Sequence, residues 1–110
     1  MKVKVLCLGD VVGRPGRHIL SQKLMPYIEE HSIHCVIVNA ENAAGGSGLT
    51  PQIYEKLLRY GVNLVVLGDH AYRKRDIISV LESRNNIVRP ANLSPNSAGK
   101  DFAVYETSMG

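Results

Sequence analysis

At 110 residues the chain has the size of one domain. Apolar residues make up 45% and charged residues 21%, with no low-complexity tract, which excludes a disordered or fibrous protein and leaves a globular one. The formal net charge of +3 is too small by itself to argue for nucleic acid, and it suits an anionic small substrate equally well.

In chain order, the first predicted element is a strand over Val3 to Leu8, an apolar run that does not alternate with polar residues. A helix follows, with Leu20, Leu24, Tyr27, Ile28 and His31 on one stripe and Pro26 predicting a kink or break. Cys35 to Val38 forms the second strand. The next helix opens at Thr50 as N-cap with Pro51 in the first turn, turns Ile53, Leu57 and Leu58 inward, and stops at Gly61. Leu64 to Leu67 is the third strand, Lys74 to Glu82 a third helix burying Ile77, Ile78 and Leu81, and Ile87 with Val88 a weaker strand. Ala91 to Lys100 is a loop, and Phe102 to Tyr105 a candidate last strand. Strands alternating with helices predict an α/β domain, a layered parallel sheet with helices on both faces.

Cys7 and Cys35 both fall inside apolar strands and are expected as buried free thiols, which places the protein in a reducing compartment, the cytoplasm. No apolar run approaches membrane-spanning length, and the N-terminus runs into the first strand without a signal peptide, so no membrane partner is expected.

Ligands of open parallel sheets gather beyond the carboxyl ends of the strands. Here those ends carry Gly9-Asp10, then Asn39-Ala40-Glu41-Asn42, then Gly68-Asp69-His70, then Arg89-Pro90-Ala91-Asn92. Asp10, Glu41 and Asp69 would bring three carboxylates to one rim. At an effective dielectric of about 20, two like charges about 4 Å apart repel by about 4 kcal/mol, so such a cluster protonates, spreads or holds a cation. Oxygen donors with an imidazole suit a divalent metal, with iron, manganese and zinc all within range. Each residue also has a plain structural reading, because Asp after a strand caps turns and Gly68-Asp69 forms an ordinary one; it is their convergence that favours a metal site. His70, beside Asp69, can donate a proton to a leaving oxygen. His18, His31 and His34 have no partner at ligand spacing and read as surface or packing residues. Arg14 and Arg17, in the loop after Asp10, could touch phosphate, though arginines so placed are more often solvated, as the run Arg73-Lys74-Arg75 is expected to be; the glycines at 9, 13 and 16 do not have dinucleotide-fingerprint spacing.

The segments GDVVGRPGR, NAENAAGGSGLT, GDH and RPAN, in this order and spacing, resemble the YmdB-like metallophosphoesterases of calcineurin-like type, which act as 2′,3′-cyclic-nucleotide 2′-phosphodiesterases. The resemblance covers essentially the whole chain, and NAENAAGGSGLT is its specific part. It implies that Asp10 ligates a first metal, Glu41 bridges two, Asn42 completes the first site, Asp69 binds the second and His70 is the proton donor. It further implies two divalent ions, iron or manganese, that clamp a phosphate ester such as a cyclic nucleotide for in-line hydrolysis. Where the family has Asn, this chain has Asp69, which adds a negative charge. The family continues into a second half that supplies histidine ligands including an H-x-H pair, whereas His70 is the last histidine here. Residues 1–110 therefore read as the N-terminal portion of such a domain, half of the fold, incomplete as a catalyst. An unpaired sheet edge would then invite association, as a homo-oligomer or with another chain. Two other readings stay open: a non-catalytic metal-binding or assembly module, and a nucleotide-binding α/β domain without metal.

Overall fold

The computed structural model of the protein describes residues 2–110. Four strands, β1 (Val5–Leu8), β2 (Cys35–Asn39), β3 (Leu64–Val66) and β4 (Ile87–Val88), alternate with helices α1 (Gly13–His31), α2 (Pro51–Tyr60) and α3 (Ile78–Ser83). All strands are parallel and lie in the order β1-β2-β3-β4, with Val5 beside Cys35, Ile37 beside Leu64 and Val65 beside Ile87. The predicted α/β parallel layering is therefore present.

Local chemistry sets the helix ends. At the start of α2 the Thr50 hydroxyl accepts the Ile53 N–H at 3.2 Å, and Pro51 spends no hydrogen bond there because its nitrogen would have had no partner. Gly61, at φ 117°, closes the helix in a left-handed conformation that a side chain would resist. By contrast α1 has no side-chain cap, since Val12 precedes it, and it runs through Pro26 to His31 without the predicted break. Only Leu20, Leu24 and, partly, Ile28 of its predicted stripe turn inward; Tyr27 and His31 are exposed and pack on each other with ring centroids 4.1 Å apart. Lys74 is extended, a 3₁₀ turn covers Arg75–Ile77, and the α-helix proper starts only at Ile78. Ile77 and Leu81 are fully buried as predicted, while Ile78 is half-buried.

One core holds the molecule together. Val36, Val38, Val65 and Ile87 point from the sheet toward Leu20 and Leu24 of α1, Tyr54 and Leu57 of α2, and Leu81 of α3. Among the described residues the helices pack on one face of the sheet and not on both as expected, since right-handed crossovers, the general rule, deliver helices to one side when they step the same way across a sheet. The opposite face is apolar and only partly covered. Ala103 approaches Ile37, Leu64, Val66 and Val88 there, and the Tyr105 hydroxyl accepts a hydrogen bond from Asn63 Nδ2 at 3.0 Å. The 102–105 segment is no strand, because it forms no ladder among the described residues; Phe102 is 72% and Val104 85% exposed. Cys7 also faces this open side and is exposed, contrary to the buried thiol expected, whereas Cys35 is buried; both are free. No helix among the described residues is long and apolar enough to cross a membrane. β1 pairs only with β2, so its outer edge is open among the described residues, beside an apolar groove between Leu6 and Leu8 of the strand and Ile19 and Tyr27 of α1.

Burial pushes up the pKa of the Cys35 thiol, with nearby Cys7 adding to the effect. Burial likewise pushes up that of the Tyr54 phenol, against the opposing influence of Arg84. An acid whose folded pKa exceeds its unfolded one stabilises the fold fully below the unfolded value, and that contribution is lost as pH rises through the folded value. The melting temperature is therefore expected to fall as pH rises beyond about 9, and Cys35→Ser with Tyr54→Phe should flatten the fall. A parent and double variant with parallel alkaline profiles in thermal denaturation would contradict this origin.

Candidate metal centre

The carboxyl ends of β1, β2 and β3 meet at one rim. At the β1 end, Asp10 is exposed, and one of its oxygens accepts a hydrogen bond from Asn42 Nδ2 at 2.7 Å. The β2 end is a tight turn. Asn39 Oδ1 accepts the Glu41 N–H at 3.0 Å, Ala43 N–H bonds the Ala40 carbonyl at 3.2 Å, and Gly48 N–H donates to the Glu41 carbonyl. The Asn42 carbonyl in turn accepts the N–H groups of Gly13 at 3.0 Å and Gly46 at 3.1 Å, which ties the start of α1 to this turn. The side chains of Glu41 and Asn42 are thus aimed by a dense local backbone network.

From the β3 end come Asp69 and His70. The His70 N–H donates to Glu41 Oε2 at 3.2 Å, its ring Nδ1 lies 2.5 Å from Asn42 Oδ1, and the same nitrogen stands 3.4 Å from Glu41 Oε2. Glu41, Asp69 and His70 each offer a donor atom, and these atoms all lie within 4.8 Å of one another. This group could hold a metal ion. Asp10 lies outside it and is linked to it through Asn42.

Proton positions in this chain of contacts follow from chemistry. An ionised Asp10 can only accept, so the Asn42 amide turns its NH₂ toward it and its Oδ1 toward His70. The imidazole must therefore carry its proton on Nδ1 when neutral, which leaves Nε2 as the free ring nitrogen. Asn42 Oδ1 keeps a second lone pair for a cation. A side-chain hydrogen bond with Glu41 holds the Asp69 carboxyl below its ordinary range, helped by the neighbouring His70. Two carboxylates this close repel unless a cation lies between them, and a divalent ion satisfies both. The donor set fits a metal.

Two contributors to this geometry escape a motif reading. Gly68 packs so tightly on Glu41 that a β-carbon there would stand 2.6 Å from the carboxyl carbon and 2.8 Å from Oε2. Asn39 orients the Glu41 turn in the manner of an Asx turn, a signal present in the Asn-Ala-Glu order. At the fourth strand end, Arg89 is buried but turns away to the loop, its Nη1 donating to the Pro90 carbonyl at 2.9 Å and its Nε to that of Gly99 at 3.3 Å, while Asn92 is exposed. Among the other histidines, His18 is exposed and His34 accepts the Lys4 N–H on Nδ1 at 2.8 Å.

Known proteins resemble this chain in sequence and in fold. The profile of the YmdB-like proteins matches residues 6–110. Over 106 residues the chain is 37% identical to the 2′,3′-cyclic-nucleotide 2′-phosphodiesterase of Bacillus subtilis (strain 168), a match that takes in 96% of this chain and 40% of that protein. A crystal structure of a hypothetical protein from Thermus thermophilus superposes with a TM-score of 0.87 at 40% identity, over 94% of this chain and 40% of that one. A crystal structure of a novel phosphatase from Mycoplasma pneumoniae superposes with a TM-score of 0.81 at 37% identity, over 89% and 36% respectively. The chain thus spans about 40% of the length of the curated relatives it matches. Since the profile match runs through nearly every residue that builds the rim, the chain belongs to the YmdB-like protein family.

Proposed function

We infer that the chain carries the metal-binding part of a phosphoesterase that hydrolyses phosphodiesters such as 2′,3′-cyclic nucleotides in the cytoplasm. The observation that supports this most is the convergence of Glu41, Asp69 and His70 within 4.8 Å, next to the bonded pair Asp10 and Asn42. The name of the Bacillus subtilis relative gives the substrate class. In this reading Asp10 and Asn42 serve a first ion, Asp69 a second, and Glu41 both, the ions being iron or manganese. When bound, such ions supply Lewis-acid activation of water and of the phosphoryl oxygens. As the imidazolium, His70 gives the leaving oxygen the proton on Nε2 and returns to its neutral form, because Nδ1–H is committed to Asn42. Asn42 keeps the imidazole oriented, and Asn39 and Gly68 fix Glu41.

Hydrolysis of 2′,3′-cyclic AMP in the presence of manganese is the test. Release of the nucleoside monophosphate, stopped by chelator, is expected when the chain is joined to the second half that its longer relatives carry, and at least about tenfold slower with Asp10→Ala, as befits loss of a group that serves the metal site. Equal turnover by both proteins would remove Asp10 from the site. A manganese-induced rise in melting temperature without turnover would instead favour a metal-binding assembly module, since a ligand bound only by the native state stabilises it by mass action.

A further inference from the structure

A second feature begins where the metal centre ends. Between α1 and α2 runs a groove of about 280 Å³ lined by Arg14, Arg17, His18 and Ser21 on one helix and Lys56 and Tyr60 on the other. No carboxylate lines it. Among the described residues the ion pairs are His70 with Glu41 and Arg84 with Glu55, so none of the groove's cations is neutralised by a partner. The placement also runs against helix electrostatics: α1 opens with Arg14 and Arg17 and has no acid in its first turn, where the dipole favours anions and disfavours cations. A cation held there at that cost suits an anion arriving from outside the chain.

The groove is joined to the rim. Arg14 directly follows Gly13, whose N–H bonds the Asn42 carbonyl at 3.0 Å, and Arg17 Nε reaches back to the Gly13 carbonyl at 3.4 Å. From Gly13 to Ser21 the helix rises about 12 Å, enough for more than one phosphate of an extended strand. Opposite, the half-buried Tyr60 ring offers an aromatic wall of the kind on which bases stack.

We propose that this groove binds the sugar-phosphate backbone of a single-stranded oligonucleotide whose terminal phosphate reaches the Asp10–Glu41–Asp69 rim. The inference rests on the phosphoesterase reading and narrows its substrates from mononucleotides to strand ends. Arg14 and Arg17 meet the phosphates next to the reacting one, Lys56 faces them across the groove, and Tyr60 takes a base. Because backbone contacts carry no sequence information, the track accepts any sequence.

Binding of a fluorescein-labelled single-stranded RNA of about ten nucleotides, followed by anisotropy in chelator, tests the track without requiring turnover. Three phosphate contacts predict that log K falls with log salt at a slope of about −2. Arg14→Ala with Arg17→Ala and Lys56→Ala should weaken binding at least tenfold and flatten the slope, with the circular dichroism spectrum unchanged. Lys2→Ala with Lys74→Ala and Arg75→Ala, which removes the same charge elsewhere, should leave binding intact. Equal weakening by both triple variants, no weakening by the first, or displacement of the strand by inorganic phosphate at matched phosphate concentration would overturn the proposal. Persistent binding in Asp10→Ala separates this result from any failure of the hydrolytic reading.

Discussion

Gly68→Ala is expected to cost about 10–100-fold in manganese affinity, or about 1.4–2.8 kcal/mol, while leaving the fold intact. The added methyl cannot share space with the Glu41 carboxyl, whose carbon would stand 2.6 Å away. Glu41 is the yielding partner, because its backbone is pinned by Asn39 and Gly48 and only its side chain can swing out. Swinging out removes Oε2 from the His70 N–H as well, so the group that brings three donors within 4.8 Å comes apart. Isothermal titration with manganese measures the loss, and hydrolysis of the cyclic nucleotide should fall in parallel. Unchanged affinity in Gly68→Ala would mean that the Glu41 carboxylate plays no part in holding the ion.

Stability should respond most to Tyr54. Its ring is fully buried at the junction of α2 with the β3–β4 side of the core, its hydroxyl is hydrogen-bonded to Asn86 Oδ1, and the Arg84 guanidinium lies 5.7 Å from the ring centroid. Tyr54→Ala should cost about 3–5 kcal/mol, as large aromatic truncations in cores do. That is a large share of the roughly 5–15 kcal/mol that holds a domain together. Tyr54→Phe keeps the packing and loses the hydroxyl, at about 1 kcal/mol for an Asn86 oxygen left without its donor. Urea midpoints at constant slope report both values. A loss below about 1 kcal/mol in Tyr54→Ala would show that α2 is not anchored through this ring.

Much of this molecule is legible in its residues. Valine- and isoleucine-rich runs without alternation give β1, β2 and β3, and Thr50-Pro51 with Gly61 gives α2 to the residue, because capping and left-handed closure are local chemistry. The rim residues are legible because a parallel sheet sends every strand end to the same side. Other features depend on partners distant in sequence. An apolar strand records that both its faces avoid water without recording what covers them, so the one-sided helix layer is not predictable from β2 or β3. Cys7 is exposed for the same reason. Phe102 and Val104 have strand-like character yet find no ladder. Tyr54 sits between predicted inward positions of α2 and carries a polar tip, so its burial depends on a hydroxyl partner, Asn86, that only the fold supplies. The fit of Gly68 on Glu41 and the basic groove between α1 and α2 both join side chains from separate elements, which no local pattern displays.

The strictly consecutive strand order also dictates how the chain assembles. Every pairing closes a segment of about 20–30 residues, and loop-closure entropy rises by only about 0.6 kcal/mol per doubling, so the β-α-β units cost nearly the same to form. Docking β2 on β1 joins Asp10 to Asn42, and docking β3 then adds Asp69 and His70 beside Glu41. Repulsion between Glu41 and Asp69 is thus met at the second docking, and a divalent ion present during refolding should speed that step.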